Sequence, residues 1–177
     1  RELVNGIKIN TEKKLLEDFP KSAGFDYTKD QKRSIKEIFA DLSSGRVMDR
    51  LLSGDVGFGK TEVAMNAMLA VVLDGFQALF ICPTTLLASQ HFHGIQKRFS
   101  EFGIKVAKLD GKTSAKEKTS IKKALENGDI QIVIGTHSLL SVKTKDLALV
   151  IIDEEHKFGV KQKEKLKQLR EDVHIFS

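Results

Sequence analysis

The chain has 177 residues, 41% hydrophobic and 30% charged, which is typical of one globular domain with a substantial core. Its 29 Lys and Arg against 24 Asp and Glu give a net charge of +5, which permits a polyanionic partner without requiring one. A single cysteine, Cys82, excludes an internal disulfide framework. No run reaches the roughly 20 apolar residues of a membrane span, so we expect no membrane partner and a cytoplasmic location. Arg1 is not an initiator residue, so we expect a fragment.

The first quarter of the chain predicts an arm and a capped helix. Residues 1–24 are polar and weakly patterned, typical of a linker or packing arm, with a short helix over 13–19 that Pro20 would stop. Thr28 is a candidate N-cap for a helix that ends near Gly45. Its apolar positions, Ile35, Ile38, Phe39 and Leu42, recur at helical spacing.

A glycine-rich turn follows a short apolar run and leads into a second helical pattern. The turn reads Gly54, Asp55, Val56, Gly57, Phe58, Gly59, Lys60, Thr61, with Glu62 next. This strand, turn and helix are the context of a phosphate-binding P-loop, because glycines let backbone N–H groups approach phosphate oxygens at a helix N-terminus. In that interpretation Lys60 neutralises the β- and γ-phosphates and the Thr61 hydroxyl binds Mg²⁺. The alternative is a joint that is rich in glycine for steric reasons alone.

Strand and helix patterns alternate through the rest of the chain. We predict strands over 77–82, 104–109, 130–134, 149–152 and 173–176, helices from Thr84 or Thr85 to 99 and over 113–127, and a basic segment over 158–170. Gly128 marks the end of the second of these helices. Alternation of this kind indicates an α/β fold with a doubly wound, mainly parallel sheet flanked by helices.

The apolar run 149–152 ends in Asp153-Glu154-Glu155-His156. Carboxylates at the end of a buried parallel strand emerge at the ligand crevice of such a sheet. Asp153 is then a candidate for holding Mg²⁺, directly or through water, and Glu154 a candidate for orienting or deprotonating an attacking water. Acidic residues here can also simply cap the next helix. Together with the P-loop, they predict nucleoside triphosphate hydrolysis.

Three further loops follow predicted strands and are rich in Thr, Ser, His or Lys: residues 83–85, 110–113 and 135–138. Short polar side chains at one sheet edge suit nucleic-acid backbone contacts, although each loop can also be a helix N-cap. His91 and His93 have no cysteine or carboxylate cluster near them in the sequence, so we expect no zinc site there. The lysines of 161–167 are typical of a solvated face.

With these motifs in this order, the chain resembles a superfamily 2 helicase of the DExH-box type over residues 25–177, specifically its first RecA-like motor lobe. Within the superfamily, the stretches 54–64 and 153–160 resemble the bacterial coupling factors of transcription-coupled repair. RecG-type helicases are the nearest relatives. They typically carry Ser where Phe58 stands and Gln where Glu155 stands.

The resemblance implies ATP and Mg²⁺ as cofactors, held by residues 54–62, with Asp153 as a second metal ligand. It implies adenine recognition by Phe25 and Gln31. It also implies backbone contacts of one DNA strand with Thr84, Thr85, Gly135, Thr136 and His137. His156 matches a position that couples the nucleotide site to the motor. The stretch Gly111-Lys112 departs from the family pattern, which weakens its claim to a DNA contact.

The function implied is an ATP-driven double-stranded DNA translocase that displaces stalled RNA polymerase and aids recruitment of excision-repair proteins. A second RecA-like lobe and the modules that contact those partners would lie outside this chain. Since that lobe supplies arginine fingers, which are worth about 10³–10⁵ in rate, we expect an isolated first lobe to hydrolyse ATP very slowly. The alternatives are a RecG-like fork remodeller and a nucleotide-gated binding module without catalytic turnover.

Overall fold

Helices and parallel strands alternate along the chain in the computed structural model, which describes residues 7–45, 49–50, 58–169 and 173–176. The helices are α1 (Lys14–Lys21), α2 (Lys29–Ser43), α3 (Phe58–Leu73), α4 (Thr85–Ser100), α5 (Ala115–Asn127) and α6 (Val160–Leu169). The strands are β1 (Asp49–Arg50), β2 (Gln77–Ile81), β3 (Val106–Leu109), β4 (Ile132–Gly135), β5 (Leu147–Ile152) and β6 (His174–Phe176). They form one sheet in the order β1-β6-β5-β2-β4-β3, and every pairing is parallel. The predicted doubly wound α/β fold is confirmed.

Both faces of the sheet are covered, and the strands alternate their side chains between two cores. Ala78 and Phe80 of β2 belong to the core packed under α1 to α4. Leu79 and Ile81 of the same strand belong to the core packed under α5 and α6. Every β2 residue is buried, as expected of a central parallel strand that is covered on both faces.

Local capping explains where α2 begins and where α5 ends. The Thr28 hydroxyl accepts a hydrogen bond from the Gln31 backbone N–H at 3.1 Å, and Gln31 Oε1 accepts one from the Thr28 N–H at 2.8 Å. This reciprocal capping box starts α2 and confirms Thr28 as the predicted N-cap, whereas the capping role of Gln31 was not predicted. Gly128 ends α5 in the left-handed region at φ 81°, where a residue without a Cβ is not strained.

Several predicted boundaries are wrong by a few residues. α1 does not stop at Pro20 but continues to Lys21, so Pro20 lies inside the last turn of the helix. β3 begins at Val106, two residues later than predicted. α5 begins at Ala115, because the Ser114 hydroxyl accepts the Glu117 N–H at 3.2 Å and so caps the helix. Two 3₁₀ turns, His137–Ser141 and Glu155–Lys157, were not predicted.

The described residues that precede α2 pack on the rest of the fold. Ile9, Leu16 and Phe19 are buried in the same core as α3 and α4, and the Phe19 and Phe99 rings stack at 5.4 Å between centroids. A division of the chain at residue 24 stays a prediction. Within the described ranges, no helix combines the length and the apolar character that crossing a bilayer requires.

Strand order decides which loops become neighbours. All six described strands point the same way, so the segments after β5, β2, β4 and β3 leave one edge of the sheet in that spatial order. The Asp153 N–H donates to Ile81 O and the Cys82 N–H donates to Gly135 O, both at 2.8 Å. These bonds extend the sheet by one residue and hold the three loops side by side.

Candidate active site

The N-terminus of α3 brings Lys60 and Thr61 to the sheet edge at which β5, β2, β4 and β3 end. Both residues are partly buried, and α3 packs against β2 and β5. The positive end of the helix dipole is at this terminus, which favours an anion. The predicted phosphate-binding residues Gly54, Asp55, Val56 and Gly57 lie outside the described residues, as does the side chain of Phe58.

Asp153 and Glu154 follow β5 directly. Glu154 is the only non-glycine residue of the described chain with positive φ, at φ 53° and ψ 53°. A side chain in this left-handed region costs free energy, of order 1–3 kcal/mol, and such residues cluster at functional sites. Glu154 Oε1 lies 3.2 Å from Lys157 Nζ, so an ion pair one turn later holds the carboxylate.

His91 of α4 joins the two predicted metal ligands. Its Nδ1 lies 3.4 Å from Thr61 Oγ1, and its Nε2 lies 3.2 Å from Asp153 Oδ2. Its ring also packs on Phe80, with 5.0 Å between ring centroids. Sequence reasoning missed this residue, because 62 positions separate His91 from Asp153 and only the fold brings them together.

The donors at this point suit a hard divalent cation. Thr61 and Asp153 offer oxygen atoms that reach the same imidazole, and oxygen is the donor that Mg²⁺ prefers. The thiol of Cys82 also lies here, its ligand atom within 4.8 Å of those of His91 and Asp153. Burial, followed by the charges of Asp153 and Glu154, raises the pKa of the Cys82 thiol far above its usual range. Since Mg²⁺ prefers oxygen ligands, Cys82 is a neighbour of this candidate cation site rather than a candidate ligand.

Glu62 lies in a buried polar network behind the site. Its side chain is 2% exposed, forms an ion pair with Arg98 of α4 and accepts the Tyr27 hydroxyl at 2.7 Å. Asn66 Nδ2 donates to the same Tyr27 oxygen at 3.1 Å. Burial is the main cause that raises the pKa of Tyr27 to about 12. The network joins α4, α3 and the segment before α2. A contact of Glu62 with nucleotide stays a prediction.

Of the predicted adenine-recognising residues, Gln31 contacts α3 and Phe25 lies next to Tyr27. Gln31 Nε2 donates to Gly59 O at 3.4 Å while its Oε1 caps α2. Phe25 is 39% exposed, and its ring lies 5.8 Å from that of Tyr27. Phe25 and Tyr27 help to line an open cavity of about 480 Å³ between the end of α1 and α2. The remaining lining residues are Pro20, Lys21, Asp26, Lys32, Ile35, Lys36 and Phe39.

The predicted DNA-contacting residues lie along the other half of the edge. Thr84 is exposed and caps α4, its hydroxyl accepting the Leu87 N–H at 3.2 Å, and Thr85 is partly buried. Gly135 and Thr136 are buried, whereas His137 is exposed. Gly135 also has a packing role, because a Cβ there would lie 2.0 Å from Leu109 O. The structure thus brings these residues to one edge and gives two of them structural duties as well.

His156, the predicted coupling residue, is exposed on the 3₁₀ turn Glu155–Lys157 that follows the acidic pair. The turn is anchored by Phe158, which is buried in the core under α5 and α6. His156 is therefore presented outward from the edge that carries Asp153 and Glu154.

Comparison with protein families places these motifs in context. The profile of the DEAD/DEAH box helicase family matches residues 28–176. The chain is 55% identical over 177 residues to the Transcription-repair-coupling factor of Helicobacter pylori strain J99, covering 100% of this chain and 18% of that protein. It is 51% identical over 168 residues to the ATP-dependent DNA helicase RecG of Thermotoga maritima, covering 94% of this chain and 22% of that protein.

A solved structure shows the same fold. RecG bound to a three-way DNA junction superposes with a TM-score of 0.84 at 46% sequence identity, covering 97% of this chain and 23% of that one. In every case the chain spans about a fifth of the longer protein.

Proposed function

The chain belongs to the DEAD/DEAH box helicase family, and we propose that it is the first RecA-like lobe of an ATP-dependent double-stranded DNA translocase of transcription-coupled repair. The observation that carries this proposal is the meeting of Thr61 and Asp153 at His91, beside the N-terminus of α3. These two contacts bring Thr61, at the end of the glycine-rich stretch, and Asp153, of the acidic pair, to the same imidazole, which supports a common site. The 55% identity to a Transcription-repair-coupling factor supports the repair role.

Each residue of the site has a role in this proposal. ATP with Mg²⁺ supplies the phosphoryl group and the charge that neutralises it. Lys60 binds the β- and γ-phosphates, Thr61 and Asp153 hold the cation, and Glu154 positions the attacking water and accepts its proton. Phe25 and Gln31 recognise adenine. The P-loop backbone from Gly54 to Gly59 cradles the phosphates.

Double-stranded DNA is the proposed macromolecular substrate. The backbone of one DNA strand would contact Thr84, Thr85 and the loop Gly135-Thr136-His137. His156 would couple the nucleotide site to the rest of the motor. The solved complex of RecG with a DNA junction supports this choice of partner. A second RecA-like lobe, RNA polymerase and excision-repair proteins would be engaged by segments outside this chain.

Glu154→Gln in the longer protein tests the enzymatic part. A general base contributes typically about 10²–10⁴-fold, so DNA-stimulated ATP hydrolysis should fall by about 100-fold or more while ATP affinity is retained. Glu155→Gln is the matched control, since Glu155 has no proposed role in hydrolysis. A nucleotide-gated binding module would keep its function in the Glu154 variant, and that result would refute the motor proposal.

A RecG-like fork remodeller is the second candidate, favoured by the 46% identity and 0.84 TM-score to RecG on junction DNA. Assays of the longer protein distinguish the two. Displacement of a stalled RNA polymerase without fork reversal supports the coupling-factor role. Fork reversal without polymerase displacement supports the alternative.

A further inference from the structure

His91 contacts the predicted cation site but has no role in the proposal above. Its side chain is only 18% exposed, and its two ring nitrogens face two different oxygen atoms, one from α3 and one from the end of β5. A histidine that only filled space against Phe80 would not need both nitrogens paired.

The partners determine where the imidazole hydrogen lies. The Asp153 carboxylate only accepts hydrogen bonds, so Nε2 of His91 carries the hydrogen and donates it. In the neutral ring Nδ1 is then an acceptor, and the Thr61 hydroxyl donates to it. One imidazole therefore fixes both the direction of the Thr61 hydrogen and the position of one Asp153 oxygen.

This arrangement prepares both groups for a cation. When the Thr61 hydrogen points to His91, the hydroxyl oxygen can turn a lone pair toward a metal ion. When Nε2–H holds Asp153 Oδ2, the carboxylate does not rotate freely. Residues that hydrogen-bond to metal ligands in this way typically change metal affinity 10–100-fold when they are mutated.

We propose that His91 is a positioning residue for the divalent cation of the Mg²⁺–nucleotide complex, which it serves by orienting Thr61 and Asp153. The inference rests on the proposed function, because it needs a nucleotide whose binding depends on Mg²⁺. It adds α4 to the nucleotide site. Since Thr84 caps the same helix, α4 joins the cation ligands to the proposed DNA edge.

The test measures ADP affinity by calorimetry, once with Mg²⁺ and once with EDTA. The dissociation constant in EDTA divided by the dissociation constant with Mg²⁺ reports how strongly the cation supports nucleotide binding. His91→Ala should lower this ratio about 10-fold or more while ADP affinity in EDTA stays near the wild-type value. His91→Gln, whose amide can both donate and accept, should recover part of the loss. His93→Ala is the matched control, on the exposed side of the same helix.

Each outcome decides a different point. If His91→Ala keeps the wild-type ratio, the inference is overturned while the proposed function stands. If the wild-type chain binds ADP equally with and without Mg²⁺, the proposed nucleotide site fails first. If His91→Ala does not fold, His91→Phe fills the space beside Phe80 without either hydrogen bond. An unchanged ratio in His91→Phe then overturns the inference, and a lowered ratio supports it.

Discussion

Removal of the Glu62 carboxylate should strongly destabilise the chain. Glu62 and Arg98 form an ion pair in which the side chains are 2% and 13% exposed. Arg98 also stacks on Phe19, 4.0 Å from the ring centroid, and donates to Ser22 Oγ at 2.7 Å, so it cannot easily turn to solvent. Glu62→Ala therefore leaves a guanidinium largely buried without its counter-charge, at a cost of about 3–5 kcal/mol.

Urea unfolding measures this cost. At a slope of about 2 kcal/mol per molar urea, a loss of about 4 kcal/mol lowers the midpoint by about 2 M. Arg98→Met should cost a similar amount, since it leaves the Glu62 carboxylate buried. The double variant Glu62→Ala/Arg98→Met closes the cycle and should cost no more than either single variant, because no unpaired charge is then buried. The resulting coupling energy is about 3 kcal/mol or more.

An exposed pair of the same chemistry is the control. Arg33 and Asp30 form an ion pair one helical turn apart, with side chains 67% and 74% exposed. Asp30→Asn should cost less than about 1 kcal/mol. If Glu62→Ala also costs less than about 1 kcal/mol, or if the Glu62 and Arg98 costs simply add, the account of this network is wrong.

Two further predictions concern His174 and Gly135. Burial is the main cause that lowers the pKa of His174 in the folded chain. As the pH falls through about 6.5, the His174 imidazole therefore binds a proton more readily in the unfolded chain than in the folded chain. Stability measured by urea unfolding should therefore fall as the pH drops below about 6.5, and His174→Gln should flatten that slope; a wild-type curve without the fall would contradict this. Gly135→Ala should cost about 1–3 kcal/mol or more in thermal unfolding, because its Cβ would meet Leu109 O at 2.0 Å. Gly94→Ala, within α4 and with nothing within 4 Å, should instead stabilise by about 0.5–1 kcal/mol, and equal effects at the two glycines would refute the packing argument.

The order of elements was readable from the sequence because the signals for it are local. Apolar runs such as 149–152 predict buried strands, and Thr28 predicts a helix start, which its capping box with Gln31 confirms. Helix boundaries were harder to predict where neighbouring residues can each start the helix. The sequence offered Thr113 as the start of α5, but Ser114 caps the helix.

Contacts between distant residues were not readable. Glu62 and Arg98 are 36 positions apart, and His91 and Asp153 are 62 apart. Gln77 was predicted only as the start of a strand, yet its buried amide donates to Leu125 O and Ile130 O and accepts the N–H groups of residues 145 and 146. Such contacts depend on strand order, which periodicity does not determine. The motif residues Lys60, Thr61, Asp153 and Glu154 could be proposed from the sequence because their spacing within each motif is short.

The most direct test of the central claim is calorimetric binding of ATP with Mg²⁺ to this chain and to Lys60→Ala. The account predicts measurable binding to the wild-type chain that Lys60→Ala clearly weakens, because the ammonium at the start of α3 would lose its contact with the β- and γ-phosphates. Equal affinity in the two proteins would show that ATP binds elsewhere and would contradict the assignment of this site.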